Sequence, residues 1–281
     1  MYGAIIGELA GSVYEYPEVK DKAKGIININ RRLEILKSND LITTESFYGD
    51  DTILTVAILE AILCGGNYET KLREYILKYG TEKLGRQNFF EYMFSTNVTE
   101  WAKGTKEGNS IGNGSAMRVS SVGYLYDDIN TVMDEARKQA IPSHNSIEAI
   151  KGAQAIASSI YLLRTGHNKM YVLNHIINNF DYELGYNISN LQKSNVFAST
   201  CNKTVPIALY MFLKSDCYED AVRKTISIGG DTDTNACMAG SLAEAYYGVP
   251  PYLIKKAKEK LPDEFKEVID YGYAKIKKKV I

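Results

Sequence analysis

Four aspartates in two close pairs could do chemistry in this chain. One pair is Asp231 and Asp233, in Ser227-Ile228-Gly229-Gly230-Asp231-Thr232-Asp233-Thr234-Asn235-Ala236. The other is Asp50 and Asp51, in Gly49-Asp50-Asp51-Thr52. Glycines permit backbone shapes that a Cβ disfavours. In a locally extended segment, Asp231 and Asp233 project to the same side. Carboxylates held that close repel unless one takes up a proton or a cation sits between them. Hydroxyls of Thr52, Thr232 and Thr234 lie near in sequence. Oxygen ligands without His or Cys suit a hard cation, Mg²⁺ first, then Mn²⁺ or Ca²⁺. The two pairs are far apart in sequence, unlike the contiguous loop of an EF-hand. The competing reading is helix capping, since Asp and Thr are favoured at helix N-termini and acids there complement the dipole.

Three further joints carry polar groups. Gly112-Asn113-Gly114-Ser115-Ala116-Met117-Arg118 places glycines before a helix, where free backbone N–H groups can hold an anion. It lacks the Lys-Ser/Thr ending of a P-loop, and a flexible turn explains it equally well. Arg118 is expected to be a structural ion-pair former. Ser143-His144-Asn145-Ser146 sets one histidine beside a helix start, and Glu15 follows Gly11-Ser12-Val13-Tyr14. A lone glutamate there is by default a solvated helix end. Loops at helix ends can nevertheless converge on one site in a helical protein.

The elements that must position these residues read as helices. Apolar spacing predicts helices over 3–14, 51–64, 68–79, 86–97, 129–140, 146–164, 169–180, 203–214 and 218–226. A small-residue helix over 236–247 and two basic helices complete the chain. Glu15 and Pro17 are expected to end the first helix, and 18–47 reads as a long loop placed to cover a site. Alternating β-branched runs are nearly absent, so the class is all-α. No repeat or linker interrupts the 281 residues, which favours a single domain over 1–281. A net charge of −1, from 33 basic and 34 acidic residues, gives no field that favours nucleic acid or an anionic membrane. No apolar run has the length of a membrane-spanning helix. The four cysteines are scattered and the N-terminus has no basic region before its apolar residues. A reduced, cytoplasmic protein is therefore expected; a monomer is the default.

Taken together and in order, these joints resemble the ADP-ribosylglycohydrolase family. The matching stretches are Gly3-Ala4-Ile5-Ile6-Gly7 through Glu15, Asp50-Asp51-Thr52, Gly112 to Arg118, Ser143-His144, Glu148 to Ala155, Gly229 to Thr234, and Ala245 to Pro250. The resemblance implies a compact orthogonal helical bundle around two metal ions, usually Mg²⁺ or Mn²⁺. It implies Asp50, Asp51, Asp231, Asp233 and Thr234 as ligands and Glu15 as the catalytic acid/base. It places Gly112, Asn113, Gly114, Ser115 and His144 where ADP-ribose is held. The implied reaction is hydrolysis at the anomeric carbon of the distal ribose, freeing ADP-ribose from an acceptor. The substrate is an ADP-ribosylated protein or small molecule.

Three positions depart from the family pattern. Gly49 stands where a ligating Thr is usual and offers only a carbonyl or room for water, so one metal is expected to be held more weakly. Glu8 replaces a common Asp and reads as a supporting acid outside the ligand set. Ser146 stands where related bacterial members often carry a second His. Two other readings stay open: an ADP-ribose-binding or structural member of the fold without turnover, and a metal hydrolase acting on a nucleotide or phosphoester.

Overall fold

In the computed structural model the described residues are 1–23, 32–80, 94–193 and 197–279, with side chains described for all of these but 15–23 and 277–279. No β-strand occurs among them, and about 70% of the described residues are helical. The chain runs α1 (Tyr2–Ala23), α2 (Asp50–Leu63), α3 (Tyr68–Tyr79), α4 (Thr96–Ala102), α5 (Gly114–Met117) and α6 (Ser120–Leu125). It continues with α7 (Ile129–Ala140), α8 (Ile147–Arg164), α9 (Lys169–Phe180), α10 (Ile188–Lys193) and α11 (Cys201–Leu213). The last four are α12 (Tyr218–Ser227), α13 (Thr232–Tyr247), α14 (Pro251–Lys258) and α15 (Asp263–Lys279). No helix among the described residues is long and apolar enough to cross a membrane.

The pair α1 and α13 sets the frame, and small residues are the cause. Gly3, Gly7 and Gly11 recur every fourth position along α1, so they share one face. A Cβ on Gly3 would run into the Gly240 carbonyl, and one on Gly7 into the Ala236 carbonyl. One on Gly11 would stand 2.5 Å from the Asp233 Cα. Rising numbers on α1 meet falling numbers on α13, so the helices are antiparallel with backbones in contact. The Thr232 hydroxyl fixes the register by donating to the Gly11 carbonyl at 3.0 Å.

Two fully packed helices hold this pair. Along α2, residues 51–59 are all buried, and α8 packs against α6, α7, α11 and α13 through Ala149, Gly152, Ala153, Ala157 and Ile160. The core is contiguous with α1 through Ile5, Ile6 and Leu9.

Local expectations were overturned at four places. α1 does not stop at Pro17 but runs to Ala23. An internal proline removes one backbone hydrogen bond and costs about 3 kcal/mol, which kinks or weakens a helix without obliging it to end. The long loop is therefore shorter than 18–47. Ile35, in a 3-10 turn over Glu34–Leu36, and Leu41 and Ile42 are buried, which anchors this half rather than leaving it to swing as a cover. Residues 24–31 lie outside the described residues, as does the predicted helix over 86–97 as far as 93. The small-residue helix starts at Thr232, four residues before the expected Ala236. The short α5, α6 and α10 have too few residues to display a period.

Candidate metal centre

Three helices bring the acids together. Antiparallel packing lays the middle of α1 beside the N-terminus of α13, and α2 enters at the same level. Gly229 and Gly230 make the turn into α13 with φ of +77° and +80°, where a side chain is strained. Asp231 is then neither extended nor a cap. It sits at the N-cap position with φ −77° and ψ 75°, and its side chain makes no capping bond. Its Oδ2 accepts from Asn113 Nδ2 at 2.7 Å instead. Asp233 lies in the first helical turn, and its Oδ1 accepts from the Thr234 amide at 2.7 Å. The extended-segment expectation fails because α13 begins early, yet Asp231 and Asp233 still face each other.

The α2 entrance is similar. Gly49 occupies the N-cap position, with Asp50 and Asp51 in the first turn. The cap comes from another helix. Glu8 of α1, 1% exposed, accepts from the Gly49 amide through Oε1 at 2.8 Å. Its Oε2 accepts from the Thr52 amide at 3.2 Å and from the Thr52 hydroxyl. The Thr234 hydroxyl joins the two entrances by donating to Asp51 Oδ2 at 3.3 Å. Glu8, Asp50 and Asp51 can each present an oxygen within 4.8 Å of the others.

These carboxylates have little to balance them. Among the described residues none is paired with Lys, Arg or His. Burial, then Asp50 and Asp233, push Glu8 up to about 8 against hydrogen bonds that pull it down. Burial and Asp233 push Asp50 up to about 7. Asp51 is raised by burial and by four neighbouring acids, Asp231 by burial and Asp233. Asp51 Oδ1 is fully buried and has no hydrogen-bond partner. A buried carboxylate oxygen without a donor is costly, and the group of Glu8, Asp50 and Asp51 could hold a metal ion, whereas Asp231 and Asp233 do not fall within that group. The donor set is all oxygen, which suits Mg²⁺ or Mn²⁺ over softer ions.

The glycine turn adjoins this cluster through Asn113, the residue whose role the sequence concealed. Gly112 and Asn113 spend their amides on Ser110 Oγ at 3.0 Å and Ser199 O at 2.9 Å. Ser115 turns inward and donates to the Ala149 carbonyl at 2.8 Å. His144 packs flat enough on the turn that a Cβ at Gly114 would stand 2.8 Å from its Nε2. Its Nδ1 lies 2.7 Å from Ser143 Oγ. That hydroxyl also accepts from Arg118 at 2.9 Å, and its proton can be given to Nδ1, an arrangement that leaves the ring proton on Nε2. Burial, then Arg118, hold His144 well below its usual range and neutral. Among the described residues Arg118 forms no ion pair, contrary to expectation. Its partners are Gln139 Oε1, the Gln139 carbonyl and Ser143. Glu15 lies seven positions beyond Glu8 on α1; its side chain lies outside the described residues.

An all-α frame with acids gathered at two helix entrances, three of which could hold a metal ion, defines the class of this helical protein. The chain belongs to the ADP-ribosylglycohydrolase family, whose profile it matches over residues 1–279. That family is metal-dependent and acts on ADP-ribosylated substrates. The mouse ADP-ribosylhydrolase ARH3 is 26% identical over 306 residues, covering 88% of this chain and 82% of that one. The ADP-ribosylarginine hydrolase Tri1 of Pseudomonas putida is 26% identical over 235 residues, covering 74% and 61%. A solved ADP-ribosylglycohydrolase-related protein complex matches with a TM-score of 0.67 at 18% identity, over 98% of this chain and 94% of that one, which shows the shared fold.

Proposed function

We propose that this protein is an ADP-ribosyl-acceptor hydrolase, cleaving the N- or O-glycosidic bond between ADP-ribose and an acceptor as a single domain over 1–281. The observation that carries it is the set of unbalanced carboxylates with the orphaned Asp51 Oδ1, in a chain of this family. Asp50, Asp51, Asp231, Asp233 and Thr234 would hold two ions, Mg²⁺ or Mn²⁺. Such ions supply Lewis-acid polarisation and orient the diol of the distal ribose.

The remaining steps fall to the chain's own groups. Glu15 passes a proton to the leaving group or takes one from water. Ionised carboxylates around the site offset positive charge developing on the ribose, as in glycosidases. Asn113 keeps Asp231 aimed into the cluster. His144 presents Nε2–H beside Gly112 and Gly114 as a neutral donor. With the amides of Gly112 and Asn113 already spent, phosphate recognition at this turn falls to the amides of Gly114 and Ser115. Gly112, Asn113 and His144 shape the wall. Four unpaired cysteines fit a reducing, cytoplasmic setting, and a monomer suffices for this site.

The acceptor is read by a panel of ADP-ribosyl substrates linked through arginine, serine, acetyl ester or nucleic acid, each assayed with Mg²⁺ for free ADP-ribose. One linkage is expected to dominate, with Glu15→Gln abolishing its cleavage. No release from any member, by a protein that binds ADP-ribose, would make this a binding protein instead.

A further inference from the structure

We infer that Glu8 is itself a ligand of the cation at the α2 entrance, and that Gly49, having no side chain, leaves the end of Glu8 undisturbed in that place. The inference rests on the cation-centre reading above and assigns a residue that reading leaves outside the ligand set.

The geometry is that of two groups competing for one volume. A Cβ on Gly49 would stand 3.0 Å from Glu8 Oε1, closer than carbon and oxygen normally approach. A side chain at 49 would press on the end of Glu8 and require it to shift by a few tenths of an ångström. Glu8 reaches this place from α1 with both oxygens steered by donors on α2. Oε2 takes two donors, from Thr52, whereas Oε1 takes one, from Gly49. A carboxylate oxygen has two lone-pair sites, so Oε1 keeps one for a metal. The neighbours within 4.8 Å are Asp50 and Asp51, and Asp51 brings a fully buried oxygen that has no partner.

Capping alone explains less. A cap needs an acceptor and no charge, yet Glu8 adds a third carboxylate to a dry, acid-crowded place. Without a cation that arrangement is repulsive unless the acids hold protons. With Glu8 as ligand, the missing side chain at 49 is no longer a lost ligand. An anionic oxygen from α1 fills the position, and this half of the centre holds its ion firmly rather than weakly.

The test uses the full-length chain stripped with EDTA and titrated with Mn²⁺, with free ion followed by electron paramagnetic resonance. Wild type is expected to hold two ions. Glu8→Gln should raise the Kd of one by more than the roughly 10- to 100-fold that loss of a merely supporting partner costs, and leave the other nearly unchanged; a loss within that range would leave Glu8 a supporting acid and overturn the inference. Gly49→Ser should weaken the same ion by crowding Glu8, and Glu8→Asp combined with Gly49→Ser should recover much of the loss, because the shorter acid retreats. Glu8→Gln binding both ions as wild type does, with only a lower melting temperature, would leave Glu8 a cap and overturn the inference alone. Wild type binding no Mn²⁺ would overturn the cation centre as well. Should Glu8→Gln fail to fold, Glu8→Asp alone decides: wild-type affinity for both ions in that variant, whose carboxylate is one carbon too short to keep its place, contradicts the assignment.

Discussion

Gly11→Ala tests the helix contact that sets the site. In an isolated helix the change stabilises by about 1 kcal/mol, because glycine is the poorer helix former. Here the new Cβ would stand 2.5 Å from the Asp233 Cα, 2.6 Å from its nitrogen and 2.6 Å from the Thr232 carbonyl. Ordinary contact begins near 3.4 Å, so α1 and α13 must part locally by 3.4 − 2.5 = 0.9 Å. All three obstacles are backbone and cannot rotate away. Overpacking of this kind costs about 1–3 kcal/mol, and a rigid backbone neighbour puts it at the upper end. The net loss is then about 1–2 kcal/mol, or roughly 2–8 °C in melting temperature for a domain of this size. Gly272→Ala in α15 is the contrast, since its Cβ would meet only the ends of Leu59 and Met1 at 3.0–3.3 Å. Those side chains can yield, so part of the helix-propensity gain should survive. Thermal denaturation of the two variants, with and without Mn²⁺, is the assay. Gly11→Ala should melt lower and respond less to Mn²⁺, because the displaced backbone carries Asp233. Gly11→Ala melting at or above wild type, with its metal response intact, would refute the close-contact reasoning.

Asp231→Asn should raise the melting temperature of the metal-free protein, since it removes one charge from a cluster whose carboxyls burial already pushes upward. The same variant should lose most of the stabilisation that Mg²⁺ at a hundred times Kd gives wild type, about 2.7 kcal/mol; denaturation scans in EDTA and in Mg²⁺ read both. The metal-free protein should also lose stability as pH rises from about 5 to 8. Glu8 and Asp50 move from ordinary values of 4.5 and 3.8 up to about 8 and about 7 on folding. In that window the folded chain keeps protons the unfolded chain releases, so unfolding free energy falls with pH. Urea midpoints at pH 5, 6, 7 and 8 should decline in EDTA and flatten in saturating Mg²⁺; a rising EDTA series would contradict the shifts.

Most helices were legible because their apolar spacing is long and regular. The predicted spans 68–79, 129–140 and 169–180 coincide with α3, α7 and α9. Where tertiary contact decides, the sequence misled. Pro17 looked like a stop, but α1 runs through it to Ala23. The start of α13 was read late because Asp231 and Thr232 resemble a loop until Thr232 is seen donating to Gly11. The all-α class and the family were readable from the order of the motifs. Asn113 was legible only as part of a turn, since nothing in Gly-Asn-Gly signals a bond to Asp231. Glu8 was read as a supporting acid because its position depends on α1 meeting the α2 entrance. One signal was available: Gly3, Gly7 and Gly11 at spacing four announce a close helix partner, and Glu8 stands next to that stripe.

The central claim is that the acids at the α1, α2 and α13 junction hold divalent cations on which ADP-ribosyl hydrolysis depends. Its most direct test is release of ADP-ribose from the preferred substrate by protein stripped with EDTA, before and after Mg²⁺ is restored. Release is expected to be lost on stripping and regained with Mg²⁺, and Asp51→Asn should not regain it. Full turnover by the stripped protein, or by Asp51→Asn, would contradict the claim.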